Sequence, residues 1–223
     1  MKIAIIGAGI SGHTAALVLR KKLSKDHDVI VISPNKMWNW IPSNIWVGVG
    51  QMSSSDVTFE IAPIYKKQGI IFHQAKCIEI FPEGLNHSKP FIKVQSTKSD
   101  QLDQVYNIEC DYIVNATGPK LNFAATPGLG PHGGHTQSVC TVEHAVQTSA
   151  VLDILVEEMK RGLNKTLVVG TGHGMCTCEG AAFEYIFNLE FELRRRGVRD
   201  KARVIFLTNE AELGDFGVGG LNL

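Results

Sequence analysis

The chain has 223 residues, enough for one large domain or two small ones and for a sizeable buried core. Glycine is enriched at 22 residues and charged residues make up 20%, which excludes disordered, collagen-like and low-complexity classes. Twenty-two basic residues cancel 22 acidic ones, so no net field recommends a nucleic acid, an anionic membrane surface or an acidic substrate.

Lys2 to Ile6 is a short apolar run of the kind found in a parallel strand buried on both faces. Only Met1 precedes it, with no signal-length apolar stretch and no small-residue cleavage site, which predicts a cytoplasmic location. The strand feeds Gly7-Ala8-Gly9-Ile10-Ser11-Gly12. Ser11 to Leu23 is then predicted helical, with Ala15, Ala16, Leu17, Leu19 and Leu23 as its apolar stripe and Lys21, Lys22 and Lys25 toward its C-terminal end. Val29 to Ile32 is the next buried strand and completes a βαβ unit. From Met37 to Gly50 periodicity gives way to Trp, Pro, Asn, Ser and Gly, which predicts an irregular loop. Phe59 to Gln68 reads as a short helix ended by Gly69, Ile70 to Ala75 as a strand continued by Cys77 to Phe81, and Phe91 to Ser96 with Gln104 to Ile108 as a hairpin or meander. Cys110 to Ala116 is a further strand, ending at Thr117-Gly118. The pattern then restarts: Ala145 to Arg161 is helical, Thr166 to Val169 is a buried strand, Gly170-Thr171-Gly172-His173-Gly174 is a second glycine turn, and a helix over Thr177 to Arg196 leads to a strand at Arg203 to Leu207. These elements predict an α/β fold of two Rossmann-like βαβ units in series, the second incomplete. Residues 1–120 form the first domain, 121–144 a connecting loop and 145–223 a truncated second domain.

Two uncharged stretches, Met37 to Ser55 and Leu121 to Val142, have the length of a membrane span, but Pro, Gly, Asn, Ser or His interrupts both, and neither reads as a transmembrane helix. Cys77, Cys110, Cys140, Cys176 and Cys178 are an odd and sparse set that fits a cytoplasmic protein with a few reactive thiols and no disulfide framework.

The spacing of Gly7, Gly9 and Gly12 allows a tight turn, close approach of the backbone to a pyrophosphate, and close packing of helix on strand. The helix start supplies N–H groups and a partial positive charge, so the motif predicts dinucleotide binding. The acidic residue usual about 20 residues later for the ribose is missing. Ser33 stands at the strand end instead, and its hydroxyl can still bond a ribose. Cys176 and Cys178 sit at the start of the second long helix, where the dipole favours a thiolate, the form that attacks sulfur; the alternative is that both simply pack a helix start.

Four segments taken together carry a resemblance: Trp40 to Gly50 (WIPSNIWVGVG), Ala116 to Leu121 (ATGPKL), Ser138 to Ala145 (SVCTVEHA) and Cys178 to Tyr185 (CEGAAFEY). The chain resembles the sulfide:quinone oxidoreductases, flavoproteins with two dinucleotide-binding domains, over all 223 residues. The resemblance implies FAD on the first unit, with Gly7, Ala8, Gly9 and Gly12 at the pyrophosphate, Ser33 at the adenosine ribose, the Cys77 backbone near the adenine, and Ile41-Pro42 and Thr117-Gly118 close to the flavin. It implies that Cys178 is the sulfur-carrying cysteine beside the flavin and that Cys140 is a second functional cysteine, which in some relatives bonds the flavin covalently. Sulfide and quinone are then the substrates. The family's third cysteine, second FAD-binding segment and membrane-dipping helices have no counterpart in these 223 residues. The isolated chain is therefore expected to be inactive, and the full-length form peripheral to the inner face of the cell membrane, with a homo-oligomer open. The second glycine turn has Met175 at its third glycine position, which suits an enzyme that does not use NADH.

His132, His135, Cys140 and His144 supply metal-ligand types, but their spacing fits no structural zinc pattern, and Gly133-Gly134 favours a flexible loop, so no metal is expected. Trp38, Trp40 and Trp46 read equally as lining of a quinone or flavin pocket and as plain packing. Arg194-Arg195-Arg196 reads as a solvated, dipole-favoured helix end. The competing functional readings are an NADH:quinone oxidoreductase of the same fold, the flavin subunit of a sulfide-oxidising flavocytochrome, and a non-catalytic dinucleotide- or metal-binding module.

Overall fold

The structure, a computed structural model, describes residues 1–85, 89–171, 179–208 and 213–214. Expectations about Gly172, His173, Met175, Cys176 and Cys178 lie outside these residues. In chain order the elements are β1 (Lys2–Ile6), α1 (Ile10–Lys22), β2 (Asp28–Ser33), β3 (Met37–Asn39), α2 (Asn44–Gly48), α3 (Ser54–Val57), β4 (Thr58–Glu60), α4 (Ile61–Gln68), β5 (Ile71–Phe81), β6 (Phe91–Ser96), β7 (Val105–Glu109) and β8 (Tyr112–Asn115). They continue with α5 (Val142–Lys160), β9 (Lys165–Gly170), α6 (Glu179–Arg195) and β10 (Ala202–Leu207). Two compact units result, Met1–Asn39 with Thr58–Lys120, and Trp40–Val57 with Leu121–Leu223.

In the first unit the sheet order is β7-β6-β5-β2-β1-β8. The pairs β5–β2, β2–β1 and β1–β8 are parallel, while β6 and β7 continue from β5 as an antiparallel meander. The apolar runs of β1 and β2 are explained by the two faces they fill. Ala4, Ile6, Ile30 and Ile32 join Ala75, Ile92, Val94, Ile108 and Cys110 on one side. Ile5, Val29 and Val31 join Ala16 of α1 and Ile61 and Tyr65 of α4 on the other. Side chains alternate across a strand, so a strand covered on both faces has no polar positions to alternate with. Gly69 ends α4 in the left-handed conformation at φ +70.

Met37 to Gly50 is ordered, not the irregular loop that its composition predicts. β3 pairs antiparallel with β4, Ile41–Ser43 is a 3-10 turn, and α2 follows directly. Elements of three to five residues are too short to show a period, and burial of Asn44, Ile45, Val47 and Gly48 is what forms them.

In the second unit α5 starts at Val142, three residues ahead of the expected Ala145, because Thr141 caps it. Leu152, Val156 and Met159 of α5 meet Leu189 and Leu193 of α6 together with Val49, Val198 and Ala202. The strands β9 and β10 pair in parallel across α6, a second βαβ arrangement. Among the described residues no helix is long and apolar enough to cross a membrane.

Candidate functional site

The C-terminal ends of the parallel strands gather most of the singled-out residues. At β1 the strand order reverses, with β2 and β5 on one side and β8 on the other, and open α/β sheets bind ligands in the crevice at such a point. Gly7 leaves β1 at φ +104, its N–H donating to the Ile32 carbonyl at 2.8 Å, and the Ala116 N–H donates to the Ile6 carbonyl at 2.8 Å. A Cβ at Gly7 would strike the carbonyl of Ala116, and one at Gly12 the carbonyl of Gly7. α1 therefore starts directly against the ends of β1 and β8. Gly9 is different: a Cβ there would meet nothing within 4 Å among the described residues. Gly9 is also the N-cap of α1, and no capping side chain and no acidic residue of the first turn competes with an incoming anion for the helix N–H groups. This cradle fits a pyrophosphate.

Thr117 is held at the rim of the same crevice. Its N–H and hydroxyl both donate to Asn115 Oδ1, at 3.2 and 2.9 Å, and Gly118 turns at φ +69. Ala8 is buried in the core beside Ala16. Ser33 ends β2 opposite Gln74 of β5 and is buried, its Oγ accepting the Asn35 N–H at 3.3 Å. Cys77 follows on β5 at a shift in register with β6. Its side chain packs on the core, and burial pushes the thiol up. Burial, then the nearby Asp111, likewise pushes the Cys110 thiol up. The structure thus brings Gly7, Gly9, Gly12, Thr117 and Gly118 together, with Ser33 at the end of an adjoining strand.

Ile41, Pro42 and Cys140 belong to the second unit. Ile41 and Pro42 are exposed in their 3-10 turn. Cys140 is exposed, and its N–H donates to Ser138 Oγ at 3.1 Å one residue ahead of Thr141, whose Oγ1 accepts the His144 N–H at 3.2 Å. Cys178, the other expected catalytic residue, lies outside the described residues.

Three features go beyond the sequence expectations or depart from them. His13 Nδ1 lies 3.0 Å from the hydroxyl of fully buried Tyr65, within a cluster where Trp38 stacks on Phe59 at 4.8 Å. Burial pushes the Tyr65 phenol up to about 12 and lowers the His13 imidazole, so the hydroxyl donates and both groups stay neutral. His132 and His144 meet at 3.2 Å through their Nε2 atoms, yet among the described residues no group of three or more His, Cys, Asp or Glu is placed to hold a metal ion. Finally, Arg196 is not the solvated helix end that its sequence suggests. Its side chain is 17% exposed and bonds Glu192, Asp153 and the Val49 carbonyl. Glu192, between Phe191 and Leu193 and at i−3 and i−4 from Arg195 and Arg196, is the signal that reveals this cluster.

The chain matches the family model described as pyridine nucleotide-disulphide oxidoreductase over residues 1–193. It is 33% identical over 219 residues to the sulfide-quinone reductase of Aquifex aeolicus (strain VF5), covering 98% of this chain and 45% of that protein. Against the external alternative NAD(P)H-ubiquinone oxidoreductase B4, mitochondrial, of Arabidopsis thaliana it is 25% identical over 179 residues, or 77% of this chain and 29% of that one. The X-ray structure of the Aquifex aeolicus sulfide:quinone oxidoreductase aligns with a TM-score of 0.78 and 31% identity, over 99% of this chain and 46% of that chain. The chain spans less than half the length of these relatives. The resemblance read from the sequence is borne out, and FAD is the expected cofactor. This chain belongs to the pyridine nucleotide-disulphide oxidoreductase family.

Proposed function

We propose that the chain is the FAD-holding portion of a sulfide:quinone oxidoreductase. The reading is carried by 33% identity to a sulfide-quinone reductase along 98% of the chain, and the anion-ready cradle at Gly9 supports it. Residues 1–120 form the FAD domain, 121–144 the connection and 145–223 a domain of the NAD-binding type. FAD, when bound, supplies a two-electron acceptor. Gly7, Ala8, Gly9 and Gly12 hold its pyrophosphate, the Ser33 hydroxyl bonds the ribose, the Cys77 backbone borders the adenine, and Thr117, Gly118, Ile41 and Pro42 border the ring system. Cys178 holds the sulfur under attack and Cys140 is the second functional cysteine. Hydrosulfide attacks that sulfur, an S–S bond forms as a thiolate leaves, and sulfide sulfur is oxidised by two electrons. The leaving thiolate carries away the electron pair, which FAD, when bound, would accept, and quinone is the final acceptor of two electrons and two protons. An apolar quinone sets the whole protein at the inner face of the cell membrane, as a peripheral protein.

Similarity to an NAD(P)H-ubiquinone oxidoreductase supports a second reading, in which NAD(P)H is the reductant. Titrating the purified chain with FAD by flavin fluorescence, then adding sulfide or NADH anaerobically, separates the two. We expect saturable FAD binding by the chain but no sulfide-driven reduction of quinone by it, and bleaching by sulfide, not by NADH, in the whole protein. Failure to bind FAD overturns the cradle assignment, and bleaching by NADH alone establishes the second reading.

A further inference from the structure

In the second unit the chain from 121 to 141 folds on itself before entering α5. The His135 N–H donates to the Gly128 carbonyl at 2.7 Å, the Gly130 N–H to Thr136 Oγ1 at 2.8 Å, and the Thr148 hydroxyl of α5 to the Ser138 carbonyl at 2.7 Å. His132, exposed in this loop, meets His144 in the first turn of α5, with Nε2 atoms 3.2 Å apart. His144 is only 8% exposed, and the Phe123 ring lies 5.7 Å away. Its Nδ1 is buried with no hydrogen-bond partner among the described residues.

That solitary nitrogen assigns the tautomers. A buried N–H without an acceptor is rarer and costlier than a buried lone pair without a donor. His144 therefore carries its proton on Nε2 and donates to the bare Nε2 of His132, whose own proton sits on Nδ1. A further proton has no good place in this pair. On His132 it would have to enter at the nitrogen that is already accepting, which breaks the contact. On His144 it would have to enter at buried Nδ1, where nothing accepts it.

We propose that the His132–His144 contact is a pH latch, holding the loop 121–141 and the exposed Cys140 at its end closed on α5 at neutral pH and releasing them in mild acid. The latch is independent of the flavin reading. Burial first, then His132 from the loop, lower the pKa of His144, while Glu143, its neighbour on α5, pulls the other way. The closed loop selects the neutral ring. Its advantage is therefore complete above the ordinary imidazole value of 6.5 and declines as pH falls below it.

Hydrogen exchange of the purified chain, corrected for the intrinsic pH dependence of exchange, tests this. Between about pH 7.5 and about pH 5.5, protection of peptides from 121–141 should fall about tenfold while β1 and β2 stay unchanged. His144→Gln keeps an amide N–H to donate to His132 but does not titrate, so it should retain protection at neutral pH and flatten the profile. His132→Ala should lose protection at both pH values. A flat wild-type profile, or a His144→Gln variant with the wild-type pH response, overturns the latch. So does strong protection induced by zinc chloride at acid and neutral pH alike, which would make the pair a metal site.

Discussion

Gly9→Ala leaves the stability of the ligand-free chain within about 1 kcal/mol of wild type and weakens FAD binding about tenfold or more, whereas Gly12→Ala loses both. At Gly9 the backbone sits at φ −70, ψ −166, which alanine adopts freely, and its Cβ points into open space. The poorer N-cap preference of alanine is offset by the lower entropy of its unfolded chain, roughly 0.4–1 kcal/mol. What the new methyl occupies is the space above the helix N-terminus where the pyrophosphate is proposed to lie. At Gly12 the methyl instead strikes the Gly7 carbonyl and comes within 3.2 Å of Ala116 Cβ. Backbone cannot swing aside as a flexible side chain does, so α1 must lift off β1 and β8, at about 3 kcal/mol. Helix propensity alone would favour alanine there by about 1 kcal/mol, so any net loss belongs to the contact. Melting temperatures with and without FAD measure both effects, since a ligand stabilises by RT ln(1 + [L]/Kd). A Gly9→Ala chain that binds FAD as wild type does would place the nucleotide elsewhere.

The contrast between these glycines also shows what is legible in the sequence. Lys2 to Ile6 and Val29 to Ile32 are readable as strands because both faces are covered, which leaves an unbroken apolar run next to a glycine motif. The motif's spacing is readable, but the division of labour within it is not: that Gly12 is barred from a side chain by Gly7, and Gly9 by nothing among the described residues, is a matter of three-dimensional contact. Trp40 to Val57 is the hardest stretch. Its helices and turns are too short to show a period, and its partners in the second unit, Glu192 and Arg196 among them, lie far along the chain. The His132–His144 pair is equally hidden, because their spacing matches no ligand pattern and only the fold of the loop brings the rings together.

Glu192→Ala should destabilise the second unit by about 3–5 kcal/mol, the usual cost of removing one partner of a buried ion pair. Glu192 is fully buried on α6 and accepts from Arg195 at 2.6 Å, Arg196 Nε at 3.1 Å and Gln51 Nε2 at 3.0 Å. Its loss strands the half-buried Arg196 guanidinium with Asp153 and the Val49 carbonyl, and leaves the Gln51 amide without this acceptor. For a unit of this size each kcal/mol moves the melting temperature by roughly 4–8 °C, so a fall of well over 10 °C is expected. The penalty comes from a half-buried charge left with only the exposed Asp153 carboxylate and not from lost volume, so Glu192→Met combined with Arg196→Met should recover much of it, and the double variant should cost less than the sum of its parts. The pH dependence follows from the same pairing. Arg195 first, then Gln51 and Arg196, hold the Glu192 carboxyl below its ordinary 4.5, outweighing burial. The stabilisation is therefore complete above that value and lost as pH falls below it, so the wild-type unit should weaken steeply under about pH 4.5 and Glu192→Gln should show a shallower slope. Because Gln51 and Val49 are two of the points where α6 grips the 40–57 segment, hydrogen exchange in Glu192→Ala should rise first in that segment, ahead of β9 and β10. A variant that melts within about 1 kcal/mol of wild type, with 40–57 still protected, would mean that apolar packing of Val47 and Val49 alone secures the segment.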